Sequence, residues 1–225
     1  MPKCMKLGEI VSWMDEALAV GAFADDMSNN GVQIERDGDD VSKVAFAVDG
    51  SLASVRAAAK AGAQLLVVHH GISWGGGIKR VAGGTGDVVR AAVKADLALY
   101  ACHLPLDANK AYGNNWELAR FFGLKKIAPA FSYHGHVIGV TGVNKHGRKI
   151  GICSGGAGEF AETAKSLGCD LYVTGEASWG DVVAAENCGM EMVCAGHYET
   201  ETFGVKALAR GMKRHLGVET VFLPR

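Results

Sequence analysis

The chain alternates between short apolar runs and longer stretches in which apolar residues recur at helical spacing. Residues 44–48 and 65–68 are continuous apolar runs, which is typical of buried strands. Residues 6–20 carry apolar side chains three or four positions apart, and the alanine-rich stretch 52–61 follows a capping segment at 49–51. The alternation predicts an α/β fold. Further strands are predicted at 97–102, 136–141, 149–153, 171–174, 192–195 and 218–223, and further helices at 87–95, 115–122, 154–167, 181–187 and 198–215.

Three of the predicted strands end in residues that bind metals well. In α/β sheets, ligands bind at the carboxyl ends of the strands, where loops line a crevice. Side chains alternate along a strand, so the two adjacent histidines after residue 68 are expected to point to different sides and to serve two metals. The residues concerned are His69 and His70 after the first strand, His103 and Asp107 after the second, and His197 and Glu201 after the third.

Imidazole and carboxylate donors together suit zinc, manganese, iron, cobalt or nickel better than calcium or magnesium alone. His197 and Glu201 are four residues apart at the start of a predicted helix, so they share one face. Two divalent ions about 3.5–4 Å apart can activate water and attract an anionic substrate such as a phosphate ester or nucleotide. His103 is a candidate general acid or base, with orientation of Asp107 as the alternative.

Other candidate motifs either have two interpretations or lack the residues that their function requires. The glycine-rich residues 71–86 lack the Gly-Lys-Ser/Thr of a nucleotide-binding P-loop. Trp74 in that stretch is either a stacking platform for a planar ligand or an anchoring core residue. Residues 154–159 are either an anion-binding turn at a helix N-terminus or a tight packing turn. Ser154 has no nucleophile-elbow sequence around it.

Composition excludes several classes of protein. The 225 residues are 48% hydrophobic, and 23 basic residues against 24 acidic ones leave no excess charge for nucleic acid. The six cysteines include no C-x-x-C pair, which argues against disulfides or a zinc knuckle. No apolar run approaches the roughly 20 residues that span a bilayer, and Glu9 and Asp15 interrupt any signal-like core. A cytoplasmic protein is expected.

The motifs together resemble those of the Nif-three-like dinuclear metal-centre proteins, the GTP cyclohydrolase 1 type 2 homologs. They span nearly the whole chain in the family's order. Residues 178–181 depart from the family, because they lack a histidine that many members carry there, and the pocket is expected to differ. The matching elements are Asn-Gly-Val-Gln-Ile at 30–34, Val-Val-His-His-Gly at 67–71 with Trp74, His-Leu-Pro-Leu-Asp at 103–107, Thr-Gly-Glu at 174–176 and Gly-His-Tyr-Glu-Thr-Glu at 196–201.

The resemblance implies two interlocked three-layer α/β lobes, residues 1–128 plus 196–225 and residues 129–195. It implies a toroidal homohexamer with its metal sites facing an internal cavity. The leading hypothesis is a dinuclear metal-dependent hydrolase, which the family label makes one of GTP cyclohydrolase type. In this hypothesis His103 is the proton-transfer candidate, and Glu176 and Trp74 are candidate substrate contacts. The alternative is a non-catalytic metal-binding or regulatory toroid. The residues implied to bind the two metals are His69, His70, Asp107, His197 and Glu201.

Overall fold

A computed structural model describes residues 3–225 and confirms the α/β fold. The chain divides into two compact units. Unit 1 comprises Met1–Leu106 and Val205–Arg225, and unit 2 comprises Asp107–Gly204. Each unit contains one five-stranded sheet within the described residues.

The helices and strands alternate along the chain much as their apolar patterns predict. The first elements are β1 (Met5–Lys6), α1 (Leu7–Leu18), β2 (Gly31–Ile34), β3 (Asp40–Val41), β4 (Lys43–Asp49), α2 (Leu52–Lys60), β5 (Leu65–His70), α3 (Gly83–Lys94), β6 (Ala98–Ala101) and α4 (Leu104–Ala108). The next are α5 (Asn114–Phe121), β7 (Lys125–Tyr133), β8 (His136–Val143), β9 (Lys149–Gly156), α6 (Ala161–Ser166), β10 (Leu171–Glu176), α7 (Trp179–Cys188), β11 (Met192–Cys194), α8 (His197–Leu216) and β12 (Glu219–Phe222).

The sheet of unit 1 has the strand order β12-β4-β5-β6-β2. β12, β4, β5 and β6 are parallel, and β2 pairs with β6 in the antiparallel direction. β5 lies at the centre, and its first five residues are buried, as a run of consecutive apolar residues predicts. The parallel strands therefore end at one edge of the sheet, and that edge carries His69 and His70.

The sheet of unit 2 has the strand order β11-β10-β9-β8-β7. β11, β10 and β9 are parallel, whereas β9, β8 and β7 form an antiparallel meander. Helix α5 packs on β8 and β9, and its Trp116 and Leu118 join a core with Val140 and Ile152. Residues 107–128 group with unit 2 in the structure, as do residues 196–204, whereas the division implied by the resemblance assigns both segments to the first lobe.

Several local predictions differ from the structure. Residues 154–156 continue β9, and the N–H groups of Ser154 and Gly155 already donate to Asn115 Oδ1 and Thr200 Oγ1. These contacts favour the packing turn over the anion-binding turn for this part of residues 154–159. Strand β7 is not predicted, and α3 begins at Gly83 rather than near residue 87.

Among residues 3–225, no helix is long and apolar enough to cross a membrane. The six cysteines are free thiols, in agreement with the absence of a disulfide pattern. Cys153 is fully buried, and burial raises the pKa of its thiol well above the usual value. It is therefore a core residue and not a nucleophile.

Candidate metal centre

His69 and His70 are the last two residues of β5, the central strand of unit 1. His69 Nδ1 lies 3.0 Å from the carbonyl oxygen of Cys102, which follows the neighbouring strand β6. His70 Nδ1 lies 3.0 Å from Asp49 Oδ1, and Asp49 is the register partner of His70 on β4. Oxygen atoms from the strands on either side therefore hold both rings.

His69, His70 and His103 form a compact group, called the histidine cluster below. Their ring centroids are 4.7 Å apart for His69 and His70, 5.1 Å for His69 and His103, and 5.8 Å for His70 and His103. One ring nitrogen of each lies within 4.8 Å of the others. The prediction that His69 and His70 point to different sides is wrong for their rings, because the contacts with Cys102 and Asp49 turn both towards His103.

His103 follows β6 and is held by a buried carboxylate. Its Nδ1 lies 3.0 Å from Asp26 Oδ1, and the Asp26 side chain is only 1% exposed. The backbone N–H of His103 donates to Asn30 Oδ1 at 2.8 Å. Both the ring and the backbone of His103 are thus fixed by the segment that precedes β2.

Trp74 lies beside the histidine cluster, on the loop after β5. Its ring centroid is 5.1 Å from that of His103 and 6.0 Å from that of His70. The indole Nε1 donates to the carbonyl of Gly71, and Gln33 Oε1 accepts from the N–H groups of the two residues after Gly71. Trp74 is 37% exposed, so it is not the buried core anchor that was one of its two interpretations.

Asp107 lies in the short helix α4 and is 6% exposed. One carboxylate oxygen accepts hydrogen bonds from Asn114 Nδ2 at 2.8 Å and from Ser154 Oγ at 3.3 Å. Asn114 is itself fully buried, and its Oδ1 accepts from the backbone N–H of Gly204 at 2.6 Å. The orientation of Asp107 therefore depends on a buried amide in unit 2.

His197 and Glu201 occupy the first turns of α8 and share one face, as their spacing predicts. His197 Nε2 lies 3.2 Å from Glu201 Oε1. On its other side, His197 Nδ1 lies 3.0 Å from Glu176 Oε1. Glu201 is 3% exposed, whereas the Glu176 side chain is 65% exposed. Two ligands of one transition metal, each roughly 2.0–2.2 Å from it, lie roughly 3 Å apart, which matches the His197–Glu201 separation.

Two glycines allow the start of α8 to approach the sheet of unit 2. A Cβ atom at Gly155 would collide with the Glu201 carboxylate, and one at Gly175 would lie 2.8 Å from the Cα of His197. The residues on either side of Gly175 complete the Thr-Gly-Glu element. The hydroxyl of Thr174 accepts a hydrogen bond from the backbone N–H of Ala157, which follows β9. The carboxylate of Glu176 contacts His197. The Thr-Gly-Glu element is thus explained by close packing around His197.

One arrangement recurs at the four histidines of interest. In each, Nδ1 lies 3.0 Å from an oxygen acceptor: a backbone carbonyl for His69 and a carboxylate for His70, His103 and His197. For His69, His70 and His103, an acceptor at Nδ1 favours the tautomer in which Nε2 carries the lone pair, and metal-binding histidines are usually oriented in this way. His197 has a carboxylate oxygen near each ring nitrogen, from Glu176 at Nδ1 and from Glu201 at Nε2. The donors present therefore fit a divalent transition metal, and these His and Glu groups offer it suitable ligand atoms.

Three residues that orient these groups are not assigned to the site by sequence. Asp49 is predicted to form a turn or cap, with an approach to the site as the less favoured alternative; its side chain contacts His70, and Ser51 caps α2. Asp26 and Asn114 give no sequence signal, because their partners are set by the fold. For Asp49 a signal exists, since it ends an apolar strand just as His69 and His70 do.

Histidines that follow parallel strands and have oxygen acceptors at Nδ1 are typical of metal-binding α/β proteins, and the His and Glu groups of this chain could hold a metal ion. The chain belongs to the Duf34/NIF3 (NGG1p interacting factor 3) family, whose model matches residues 5–143 and 130–225. This confirms the resemblance drawn from the motifs.

Two relatives of this chain are named GTP cyclohydrolase 1 type 2 homolog. The protein from Deinococcus radiodurans is 38% identical, over 96% of this chain and 91% of its own length. The protein from Pyrococcus horikoshii is also 38% identical, over 97% and 98%. Among solved structures, TTHA1606 from Thermus thermophilus is 30% identical with a TM-score of 0.87, and 98% of each chain is covered. The ybgI protein, titled as of unknown function, has a TM-score of 0.89 at 26% identity, covering 98% of this chain and 99% of its own.

Proposed function

We propose that this protein is a dinuclear metal-dependent hydrolase that acts on a small anionic, nucleotide-like substrate. The observation that carries the proposal is the arrangement shared by the four histidines, in which Nδ1 lies 3.0 Å from an oxygen acceptor, as in metal-binding histidines whose Nε2 faces the metal. Rings held in this way are oriented before any metal binds, which lowers the cost of binding it.

The proposed ligands supply three imidazoles and two carboxylates. Two divalent transition-metal ions are the proposed cofactors, with zinc, iron, manganese, cobalt and nickel as candidates. When bound, such a pair supplies Lewis acidity and lowers the pKa of coordinated water. The five ligands are His69, His70, Asp107, His197 and Glu201.

His103 is the proposed proton-transfer residue. Its Nδ1 contact with Asp26 leaves Nε2 to accept a proton from the attacking water and later return it to the leaving group. Trp74, whose ring lies 5.1 Å from that of His103, is proposed to stack on a planar substrate. Glu176 is the second proposed substrate contact, since its side chain is 65% exposed.

Direct contact with the proposed metals favours an anionic substrate. Two divalent ions carry four positive charges, and of the five proposed ligands only Asp107 and Glu201 are carboxylates, so substrate oxygen atoms could complete the coordination. The names of the relatives make GTP the first substrate to test, with hydrolytic opening of its imidazole ring as the reaction. The family resemblance also supports a homohexamer, which light scattering on the purified protein tests.

The decisive experiment measures metal content and turnover on one preparation. The full chain is purified without chelators, metals are counted by plasma mass spectrometry, and GTP, other nucleotides and simple phosphate esters are followed by liquid chromatography–mass spectrometry. About two transition-metal ions per chain together with turnover are expected. His69→Gln should lower the metal content, whereas His146→Gln, at an exposed turn, should not.

Each other outcome is informative. Two metals without turnover of any compound would favour the non-catalytic metal-binding or regulatory role. A preparation that retains and takes up no transition metal would overturn the proposal, because the histidine arrangement would then have another purpose.

A further inference from the structure

Asp26 is a buried carboxylate that accepts four hydrogen bonds. The donors are the N–H of Ser28 at 3.1 Å, Asn30 Nδ2 at 2.9 Å, the N–H of Leu104 at 3.0 Å and His103 Nδ1 at 3.0 Å. Two of these come from its own segment and two from the end of β6. Asp26 is therefore the point at which the segment before β2 is joined to His103.

The charge of Asp26 decides which atom donates in this contact. Burial alone would raise the pKa of Asp26, but the hydrogen bonds from His103 and Asn30 outweigh it and lower the pKa to about 2. Asp26 is consequently ionised near neutral pH, and an ionised carboxylate can only accept. The hydrogen in the contact therefore belongs to His103 Nδ1.

We propose that Asp26 is a positioning residue that locks His103 in the tautomer with hydrogen on Nδ1 and the lone pair on Nε2. A neutral histidine otherwise has two tautomers, of which only this one can accept a proton or bind a metal through Nε2. The catalytic consequence rests on the proposed role of His103 in proton transfer. The tautomer itself does not depend on that role.

Asn30 strengthens the lock. Its Nδ2 donates to Asp26, and its Oδ1 accepts from the backbone N–H of His103, so one side chain fixes both the carboxylate and the histidine backbone. Asp49 contacts His70 at the same 3.0 Å distance, but its side chain is 45% exposed against 1% for Asp26. Solvent can replace the exposed carboxylate more easily than the buried one, so Asp26 gives the firmer hold.

The test is a long-range proton–nitrogen NMR spectrum of the full chain, labelled with ¹⁵N-histidine and loaded with diamagnetic zinc. His103→Gln identifies the His103 resonances. In the wild-type protein, His103 Nδ1 should give the shift of a protonated nitrogen, and Asp26→Asn should shift His103 towards a mixture of tautomers. Asp49→Asn, the matched control, should move the resonances of His70 but leave those of His103 in place.

A wild-type spectrum with hydrogen on His103 Nε2 would overturn the proposal. This measurement does not depend on the folding of the Asp26 variants, because it is made on the wild-type protein. An unchanged His103 tautomer in Asp26→Asn would overturn it as well. Once a substrate is known, Asp26→Asn should lower kcat about 10- to 100-fold at nearly constant KM and zinc content, and Asp26→Glu should recover part of the loss. An unchanged kcat would remove the catalytic consequence. A protein without any turnover would contradict the proposed hydrolase but not the tautomer.

Discussion

The histidine cluster of unit 1 and the His197–Glu201 pair of unit 2 carry similar donors on different supports. His69 is fully buried at the end of a central strand, and acceptors from three other places in unit 1 hold the cluster. The His197 side chain is 37% exposed on the first residue of a helix, and glycines allow the sheet to approach it. All four histidines have an oxygen acceptor at Nδ1, but the pair in unit 2 depends in addition on helical spacing and on glycines without side chains.

The largest effect is expected at His103. His103→Ala should lower kcat by about 10²- to 10⁴-fold, because it removes the proton-transfer group, while both metals stay bound. Steady-state kinetics with metal analysis of the same sample checks this. Loss of one metal in the variant would instead make His103 a ligand, and the whole histidine cluster would then be a metal site.

Glu201→Ala tests the unit 2 pair in the same way. It should remove about one metal ion per chain, because the substitution removes a buried carboxylate that is a proposed ligand. The circular dichroism spectrum should stay unchanged, because alanine keeps the helix. Glu199→Ala, at an exposed position on the same helix, is the control. Unchanged metal stoichiometry in Glu201→Ala would exclude Glu201 from the centre.

Gly155→Ala tests whether unit 2 depends on the absence of a side chain. Gly155 has a φ of +70° and its Cβ would collide with Glu201, so a loss of about 2–4 kcal/mol in unfolding free energy is expected. Gly147→Ala has a comparable φ of +81° with nothing within 4 Å of the new Cβ, and it should cost only about 1–2 kcal/mol. Equal losses in denaturant titrations would show that crowding at Glu201 is unimportant.

The smallest effects are expected at Asp49 and Glu176, the two partly exposed carboxylates that orient histidine rings. Asp49→Asn should weaken metal binding about 10-fold, since it replaces the carboxylate that lies against His70 Nδ1. Glu176→Gln should weaken it less, because the Glu176 side chain is 65% exposed against 45% for Asp49. Competition with a chromophoric chelator measures both constants, and the reverse order would mean that exposure does not govern the orienting contacts.

The sequence predicts the parallel strands and helices well because their apolar runs are continuous or follow helical spacing. It fails at β7, an edge strand that contains Pro129 and has left-handed residues at Lys126 and Phe131. Such a strand lacks the alternation by which strands are recognised, and proline is tolerated there because an edge leaves backbone groups unpaired. Helix α3 is missed at its start, since glycines such as Gly83 favour a loop by propensity.

Prediction of the site from sequence is limited in the same way as prediction of the fold. His69, His70 and His103 are predicted as a group because each follows a buried strand, and strand ends meet at one edge. Asp26, in contrast, lies 77 residues from His103 in the chain, and no local pattern relates them. Pairings of this kind follow from tertiary packing, so residues that orient a site are harder to predict than residues that line it.

The partly exposed indole of Trp74 lies close to the rings of His70 and His103, so its fluorescence can report on what binds beside the histidine cluster. Paramagnetic ions such as cobalt and nickel quench nearby indole emission, and a stacked purine does so as well. Replacing Trp13, Trp116 and Trp179 by phenylalanine would leave one emitter beside the cluster. Filling of the centre and arrival of a ligand could then be timed separately in a stopped-flow instrument, with no label attached to the protein.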